Sequence, residues 1–339
     1  MKSAAILGTG LIGTSIGLGL RANGWHVTGW DTDVATGTAA LAKGGLDVLA
    51  ESEDAACQGP LDLLVLATPP EAAGEFVARA RVPWLTIDTA GAKSVIAAAS
   101  NLARFVATHP MAGREVSGPA AATASLFNGA TWVIATDDAA AADMEEVEAF
   151  IGVLGARPVR MTAADHDAAV AVISHLPQLL AASLIGLAGE HPEAMNLAAG
   201  SFRDLTRVAG SDPKLWLDVL AANRTEVLAA VTELQERLGS LAELIAAGDA
   251  GLLEAQLSGS REVRRSLAAR ATAVHIALAD RPGELAKVGA ALSAAMADVR
   301  DIQLRHAPYG GGGVLTISVR PGDAAALTEA ILGVGLVIA

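Results

Sequence analysis

Short apolar runs alternate with helix-compatible stretches through the first half of the chain. Residues 4–7 predict a buried strand, residues 12–20 a helix and residues 25–30 a second strand. The alternation continues to residue 162 and is typical of an α/β fold with a doubly wound parallel sheet. The further predicted strands span residues 62–67, 84–88, 104–108, 131–135 and 157–160, with a helix at residues 139–154.

The pattern changes twice after residue 162. Residues 163–269 carry no strand signal and predict an all-helical domain. Residues 272–339 predict the element order βαββαβ, which is a small ferredoxin-like module. The helices of the middle domain are predicted at 165–188, 193–199, 213–246 and 250–267. In the last domain, strands at 273–278, 299–306, 313–319 and 335–339 accompany helices at 285–296 and 324–332, and a glycine-rich turn covers 309–312.

A glycine-rich turn with the sequence GTGLIG (residues 8–13) joins the first strand to the first helix. Gly8 permits a tight turn, Gly10 lets a pyrophosphate approach the backbone, and Gly13 lets the helix pack closely on the strand. The free N–H groups at the start of the helix favour phosphate binding. Together these features predict a Rossmann-type dinucleotide site, and the alternative is a glycine turn that binds nothing.

The residue at the end of the second strand, Asp31, favours one dinucleotide over another. Its carboxylate can accept hydrogen bonds from both ribose hydroxyls of NAD and would repel the 2′-phosphate of NADP. Thr32 and Asp33 add no positive charge, so NAD is the expected cofactor. The predicted cofactor-binding residues are Gly8, Gly10, Leu11, Ile12, Gly13, Asp31 and Thr68.

Composition narrows the range of partners. The 339 residues carry a formal net charge of −13, which argues against nucleic acid or an anionic membrane, although solubility alone accounts for such a charge. The single cysteine, Cys57, excludes a disulfide framework within the chain. The first residues lead directly into a strand, without a signal peptide, so a cytoplasmic protein is expected.

The apolar stretch at residues 168–189 is long enough to raise the question of a membrane span. His175, Pro177 and Gln178 interrupt it, so we expect a helix buried in a soluble core. The long apolar helices of the middle domain are expected to pack against a second copy of the chain. The alternative to this homodimer is a monomer with a large helical core.

Several predicted strands end in small or polar residues. Because ligands of parallel sheets bind beyond the carboxyl ends of the strands, residues 8–13, 68–70, 88–93 and 109–115 are expected to converge on one crevice. His109 lies at such an end, and imidazole has a pKa suited to proton transfer. The run Asp165-His166-Asp167 invites a metal-site interpretation, which we reject because neighbouring side chains diverge around a helix.

Four segments, in this order, resemble the prephenate/arogenate dehydrogenase family. They are GTGLIGTSIGLGL from residue 8, HPMAGREVSG from residue 109, DHDAAVAVISHLPQ from residue 165 and SFRDLTRVAGSDPKLW from residue 201. The resemblance implies oxidative decarboxylation of prephenate to 4-hydroxyphenylpyruvate in tyrosine biosynthesis. NAD takes a hydride from the carbinol carbon, CO₂ leaves and the ring becomes aromatic. Arogenate, which would give tyrosine, is the alternative substrate.

The same resemblance implies roles for individual residues. His109 is the expected acceptor of the substrate hydroxyl proton. The family usually has a serine where this chain has Gly91, and that serine positions the histidine, so a water or a hydroxyl of Thr89 or Ser94 is expected to replace it. Many members also have histidine in place of Gln178, which leaves the choice between the two substrates open. The expected substrate-binding residues are Arg207, Arg114, Gln178, Glu115, Asp204, Lys93 and His175, of which His175 is equally compatible with a buried core histidine.

The stretch ADRPGELA (residues 279–286) is similar to the effector-binding turn of ACT domains. This similarity implies a regulatory domain that binds an amino acid, with tyrosine expected, through Asp280, Pro282 and Gly283. The alternative is a purely structural dimerisation module. Two alternative functions are considered for the whole chain. One is a related dehydrogenase, such as a β-hydroxyacid dehydrogenase or pyrroline-carboxylate reductase, and the other is a sensor that binds NAD and an amino acid without turnover.

Overall fold

The computed structural model describes residues 1–113, 116–137, 139–268, 271–306 and 312–339. The chain divides into two compact units, Met1–Glu236 and Arg237–Ala339. The first unit contains an α/β region followed by helices, and the second contains an antiparallel sheet with two helices packed on it.

A six-stranded parallel sheet forms the centre of the α/β region. Its order is β3-β2-β1-β4-β5-β6, which confirms the doubly wound arrangement. The central strands are buried along almost their whole length because their sequences, SAAIL and LLVL, are nearly all apolar. The strands are β1 (Ser3–Leu7), β2 (His26–Trp30), β3 (Val48–Leu49), β4 (Leu63–Leu66), β5 (Thr86–Asp88) and β6 (Phe105–Val106). The helices of this region are α1 (Leu11–Ala22), α2 (Val34–Lys43), α3 (Glu53–Ala56), α4 (Pro70–Arg79), α5 (Ser94–Ala99) and α6 (Ala141–Val153).

The last three strands of the α/β region form a second sheet, which corrects the expectation of a single parallel sheet. They are β7 (Thr108–Pro110), β8 (Thr131–Ala135) and β9 (Arg157–Met161). β7 and β8 are antiparallel, whereas β8 and β9 are parallel. The predicted strand at 104–108 is interrupted at Ala107, so β6 stays in the first sheet while β7 turns to pair with β8. This turn places His109 opposite Val133.

The helices that follow are shorter than predicted where polar residues interrupt them. They are α7 (Ala163–Val170), α8 (Leu176–Gly189), α9 (Pro192–Asn196), α10 (Gly200–Thr206), α11 (Pro213–Ala222), α12 (Arg224–Ala247) and α13 (Ala250–Ala268). A π-helical turn, Ala171–His175, joins α7 to α8. Pro177 lies two residues further on, and because it has no backbone N–H it cannot donate the hydrogen bond of a regular α-helix. The single helix predicted at 213–246 is wrong, because the chain breaks between α11 and α12 at Asn223.

The apolar stretch Ala163–Gly189 contains an 18-residue window with a mean hydropathy of 1.8 and is long enough, by length and composition alone, to cross a membrane. Only 28% of that window is buried within the chain. Val172, Ile173, Leu180 and Leu187 lie on the surface. The expectation of a helix buried in the core of a single chain is therefore corrected: its first turns are enclosed, and much of the remainder presents apolar side chains outward.

The second unit begins with the end of α12 and with α13, and its residues 272–339 have the predicted order βαββαβ. Its strands β10 (Thr272–Leu278), β11 (Val299–His306), β12 (Gly313–Val319) and β13 (Val337–Ile338) form an antiparallel sheet ordered β11-β12-β10-β13. Helices α14 (Glu284–Ala295) and α15 (Ala324–Gly333) cover one face. Alternate residues of β10 and β12, among them Ile276 and Ile317, are buried beneath the helices, as period-two patterning requires. Most of the predicted 309–312 turn lies outside the described residues.

Candidate active site

The dinucleotide turn has the geometry that its glycines predicted. Gly8 has φ +87°, and a Cβ there would lie 2.3 Å from the carbonyl oxygen of Ala67. A Cβ at Gly13 would lie 2.0 Å from the carbonyl oxygen of Gly8. A Cβ at Gly10 meets nothing within 4 Å in the part of the chain that the structure describes. Gly8 and Gly13 are therefore required by close packing, whereas Gly10 leaves open space above the start of α1.

The turn also fixes the position of Asp31. The backbone N–H of Thr9 donates to Asp31 Oδ2 at 2.7 Å, and the Thr9 hydroxyl does so at 3.1 Å. The backbone N–H of Asp33 donates to Asp31 Oδ1 at 3.0 Å. The carboxylate is thus held beside the turn, with acceptor capacity left on both oxygens. An acidic group here and open space at Gly10 fit an NAD ribose and pyrophosphate.

Thr68, the remaining predicted cofactor residue, lies next to the same turn. Its Cγ2 would be 3.0 Å from a Cβ placed on Gly8. Within the described ranges its buried hydroxyl oxygen has no hydrogen-bond partner. Since a buried hydroxyl normally forms a hydrogen bond, Thr68 is a suitable contact for a bound molecule in the crevice.

His109 lies at the end of a chain of hydrogen-bonded side chains that links the two sheets to helix α7. Its Nδ1 is 2.9 Å from Nε2 of His166, and the two rings meet edge to face with centroids 5.1 Å apart. The other nitrogen of His166, Nδ1, is 2.8 Å from Oδ1 of Asp167. His166 and Asp167 are both buried, whereas His109 is partly exposed. The ring of His109 is therefore anchored through Nδ1, and the residue keeps part of its surface exposed.

Asp167 is the anionic end of this chain. Burial opposes its ionisation, but hydrogen bonds from His166 and from the backbone N–H groups of Lys93 and Ser94 outweigh that effect. The result is a pKa of about 2 for Asp167, so the carboxylate is ionised throughout the physiological range. The bonds to Lys93 and Ser94 also fasten α7 to the loop before α5.

Lys93 is fully buried, which corrects the expectation that it contacts the substrate. Its ammonium group is held by the carboxylate of Asp88 and donates to the carbonyl oxygen of Thr108 at 2.6 Å. Asp88 in turn accepts the backbone N–H groups of Thr108 and Ala90. Burial lowers the pKa of Lys93 and raises that of Asp88. The pair acts as an internal brace between β5 and β7 and as a positive charge behind His109.

His109 is a neutral base at physiological pH. Burial lowers its pKa well below 6.5, and the neighbouring Lys93, His166 and His175 lower it further. Asp167 acts in the opposite direction. Because most of these effects disfavour a second proton on the ring, His109 has a lone pair available to accept one.

Sequence comparisons identify the family. Residues 16–162 match the prephenate dehydrogenase nucleotide-binding domain, and residues 162–258 match the prephenate dehydrogenase dimerization domain. The probable prephenate dehydrogenase NovF of Streptomyces niveus is 31% identical over an alignment that covers 96% of this chain and 96% of that protein. The chain belongs to the prephenate dehydrogenase family.

Solved structures with the same fold include members of this family. Prephenate dehydrogenase of Aquifex aeolicus, in complex with hydroxyphenyl propionate and NAD⁺, is 25% identical with a TM-score of 0.71, covering 79% of this chain and 98% of that one. Synechocystis arogenate dehydrogenase is 26% identical with a TM-score of 0.67, covering 78% and 99% of the two chains.

His175, the last residue of the π-helical turn, lies near enough to His109 to lower its pKa. His175 is buried, with its Nδ1 3.3 Å from the Asn223 amide nitrogen and its ring edge to face with Trp216 at 6.0 Å. Of its two predicted roles, this is the arrangement of a core histidine. Gln178, one turn further on, is 8% exposed. No donor in the described part of the chain reaches the carbonyl oxygen of its side chain.

The predicted anion-binding residues are not all brought together. Arg207 begins a 3₁₀ turn, Arg207–Gly210, that packs on α8, and its side chain is exposed. Asp204 is also exposed, on α10. Arg114 and Glu115 lie outside the described residues. Substrate contacts by these four side chains therefore stay predictions.

Three residues of the site were missed by sequence reasoning: His166, Asp167 and Asn223. The Asn223 amide donates to the backbone carbonyl of Asp167 at 2.8 Å, and the residue is 4% exposed. One available signal was an asparagine in an otherwise apolar helical pattern, which is typical of a helix end. Another was the polar run Asp165-His166-Asp167 at the start of α7, which was considered only as a metal site. The hydroxyls of Thr89 and Ser94, expected to hold His109, are replaced in that role by His166.

Proposed function

We propose that this protein is an NAD-dependent prephenate dehydrogenase that converts prephenate to 4-hydroxyphenylpyruvate in tyrosine biosynthesis. The observation that carries the proposal is the position of His109, a neutral base anchored through Nδ1, in a chain that matches prephenate dehydrogenases along almost its full length. NAD, held by the turn at residues 8–13 and by Asp31, accepts the hydride.

The chain's own residues supply the proton chemistry. His109 accepts the proton of the substrate hydroxyl as the adjacent C–H bond releases hydride. The C–C bond to the ring carboxylate breaks, CO₂ leaves, and its electron pair completes the aromatic ring. The ring oxygen then takes the proton back to become a phenol. Arg207 and Arg114 are the candidates for binding the two substrate carboxylates, with Glu115 and Asp204 in the surrounding ionic network.

The direct test is NADH formation by the purified protein with prephenate, in parallel with arogenate and with NADP in place of NAD. His109→Asn should lower kcat by roughly 10²- to 10⁴-fold while NAD still binds. Near-normal turnover by this variant would refute the assignment of His109 as the base. Absence of NADH formation from either substrate by the unaltered protein would favour a sensor that binds NAD without turnover.

Arogenate is the second candidate substrate, and Gln178 is the observation that favours it. Its buried carbonyl oxygen has no donor among the described residues and could accept a hydrogen bond from an ammonium group, which prephenate lacks. A neutral amide also brings no positive charge toward a keto acid. Gln178→His should raise the ratio of kcat/KM for prephenate to that for arogenate, and an unchanged ratio would remove Gln178 from substrate selection.

For the last domain we propose an ACT-type regulatory role with tyrosine as effector. Its support is a cavity of about 250 Å³ lined by Asp280, Pro282 and Gly283 at the loop before α14. Asp280→Ala should abolish inhibition by tyrosine and leave turnover without tyrosine unchanged. Inhibition that persists in this variant would place the effector in the active site.

We also propose a cytoplasmic homodimer. Its support is the matched dimerization domain together with the outward apolar side chains of α8. A second copy, rather than lipid, is the better partner for this surface. The same apolar stretch begins at His166 and Asp167, which are hydrogen-bonded to the α/β region and would not lie in a bilayer.

A further inference from the structure

We propose that His166 and Asp167 are positioning residues for His109: they select the tautomer in which His109 accepts the substrate proton and stabilise the positive charge it then carries. The proposal deepens the proposed function and rests on it. It assigns to His166 and Asp167 the positioning role that was expected of a water or of a hydroxyl of Thr89 or Ser94, since Gly91 has no side chain to supply it.

The tautomer follows from the order of the hydrogen bonds. Asp167 is ionised and accepts only, so the proton of its bond to His166 resides on His166 Nδ1. The proposal places a single ring proton on His166, at Nδ1, which leaves its lone pair on Nε2, 2.9 Å from His109 Nδ1. His109 must carry its proton on Nδ1 to make that bond. The lone pair of His109 is consequently on Nε2, the nitrogen left for the substrate.

The Nε2 edge of His109 faces Gly91. A Cβ placed on Gly91 would lie 3.8 Å from both Cε1 and Nε2 of His109, which is ordinary van der Waals contact. Gly91 itself brings no side chain to Nε2, and the hydrogen bond with His166 involves the opposite nitrogen of the ring, Nδ1. Orientation of the base depends on helix α7 rather than on the loop that contains Gly91.

The same hydrogen-bonded chain of His109, His166 and Asp167 stabilises the positive charge that His109 gains. When the substrate O–H bond breaks, its proton binds to His109 Nε2, and the imidazolium formed lies near the buried cation of Lys93. Its Nδ1–H points to His166, whose own N–H points to the Asp167 carboxylate. The carboxylate thus offsets the new charge through one intervening ring. The proton returns to the ring oxygen after CO₂ leaves, so it needs no path to solvent.

Two substitutions of His166 separate these contributions. His166→Ala removes the contact with His109, whereas His166→Gln places an amide near the position of Nε2 and retains a hydrogen bond without a link to Asp167. We expect kcat to fall roughly 10- to 100-fold in His166→Ala, with partial recovery in His166→Gln. KM and the Kd for NAD should change little, because neither residue touches the cofactor turn. His191→Gln, at an exposed histidine on the same chain, is the matched control.

The decisive readout is the ¹⁵N spectrum of histidine-labelled protein near pH 7.5, with His109 assigned from His109→Asn. We expect His109 protonated on Nδ1 in the unaltered protein and a mixture of tautomers in His166→Ala. Protonation on Nε2 in the unaltered protein, or unchanged kcat in both His166 variants, would overturn the proposal. Parallel loss of NAD affinity and folding would also overturn it, by showing a structural role only.

This readout does not depend on which substrate the enzyme uses. If His109→Asn retained full turnover, the proposed function of His109 would fail, while the tautomer of His109 would still be measured. If His166→Ala failed to fold, His166→Gln would decide, because its amide preserves the bond to His109.

Discussion

Among single residues, His109 shows how a folded environment sets the chemistry of a side chain. Its motif and its place after a strand predicted a base from the sequence alone. The fold adds four groups around the ring: Lys93, His166 and His175, which lower its pKa, and Asp167, which raises it. Lys93 and His175 were expected in the site from sequence, but the effect of the four groups on the ring could not be predicted, because each comes from a different loop or helix than β7.

The pH dependence of catalysis tests this environment. Since the pKa of His109 is lowered well below 6.5, the ring stays neutral as the pH falls through 6.5. We therefore expect kcat/KM to be flat from pH 8 to pH 6.5 and to fall only at lower pH, as His109 becomes protonated. An acid limb centred at or above pH 6.5 would contradict the burial of the base beside Lys93.

Lys93 and His166 mark the limit of residue-level prediction. Lys93 stood at the end of a site-lining loop and was expected to bind substrate, yet its ammonium turns inward to Asp88. His166 was considered only as a metal ligand, because its neighbours in sequence are acidic. Its hydrogen-bond partners are one neighbour in sequence, Asp167, and one residue 57 positions away, His109. Long-range partners of this kind follow from tertiary packing and leave no local pattern.

At the level of elements, the turn between β1 and α1 was predicted in full because its constraints are local. The spacing of three glycines, an apolar strand before them and an apolar helix after them specify the turn. The break at Asn223 was missed for the opposite reason. Its flanks are good helix formers, and the residue ends α11 in order to donate to the carbonyl of Asp167, 56 positions away.

Substitutions of Gly10 and Gly13, two of the three glycines of the turn, are expected to have different effects. Gly10→Ala should fold with an unchanged Tm, because its Cβ meets no atom of the described chain, but should weaken NAD binding about tenfold or more by occupying the pyrophosphate space. Gly13→Ala should destabilise the protein by roughly 1–3 kcal/mol, because its Cβ would lie 2.0 Å from the carbonyl oxygen of Gly8.

Thermal unfolding and NAD titration of both variants check this pair. Gly74→Ala is the control, since a Cβ at this α4 position also meets no atom of the described chain within 4 Å and the residue lies away from the turn. NAD affinity of Gly10→Ala equal to that of the unaltered protein would place the pyrophosphate elsewhere.

For the molecule as a whole, the sequence predicted the order of the helices and strands better than it predicted which apolar surfaces are buried and against what. The βαββαβ order of residues 272–339 follows from period-two and period-3.6 patterns that each element carries by itself. The surroundings of the apolar stretch Ala163–Gly189 cannot be predicted from its own pattern in this way. Its composition fits a membrane span, a buried core helix or a subunit interface, and only the position of its polar N-terminal turns in the active site distinguishes them.

The subunit interface is the remaining test at this scale. Leu180 and Leu187 are seven residues apart on α8, so they share a face, and they are 44% and 58% exposed in the single chain. Burying this face against a second copy would remove it from water, and a charge placed there would remain unpaired. We expect the unaltered protein to sediment as a dimer at micromolar concentration and Leu180→Glu/Leu187→Glu to sediment as a monomer. The control is Val34→Glu, at an exposed valine on α2, which should remain a dimer. Dissociation of that control, or persistence of the dimer in the α8 variant, would contradict an interface on α8.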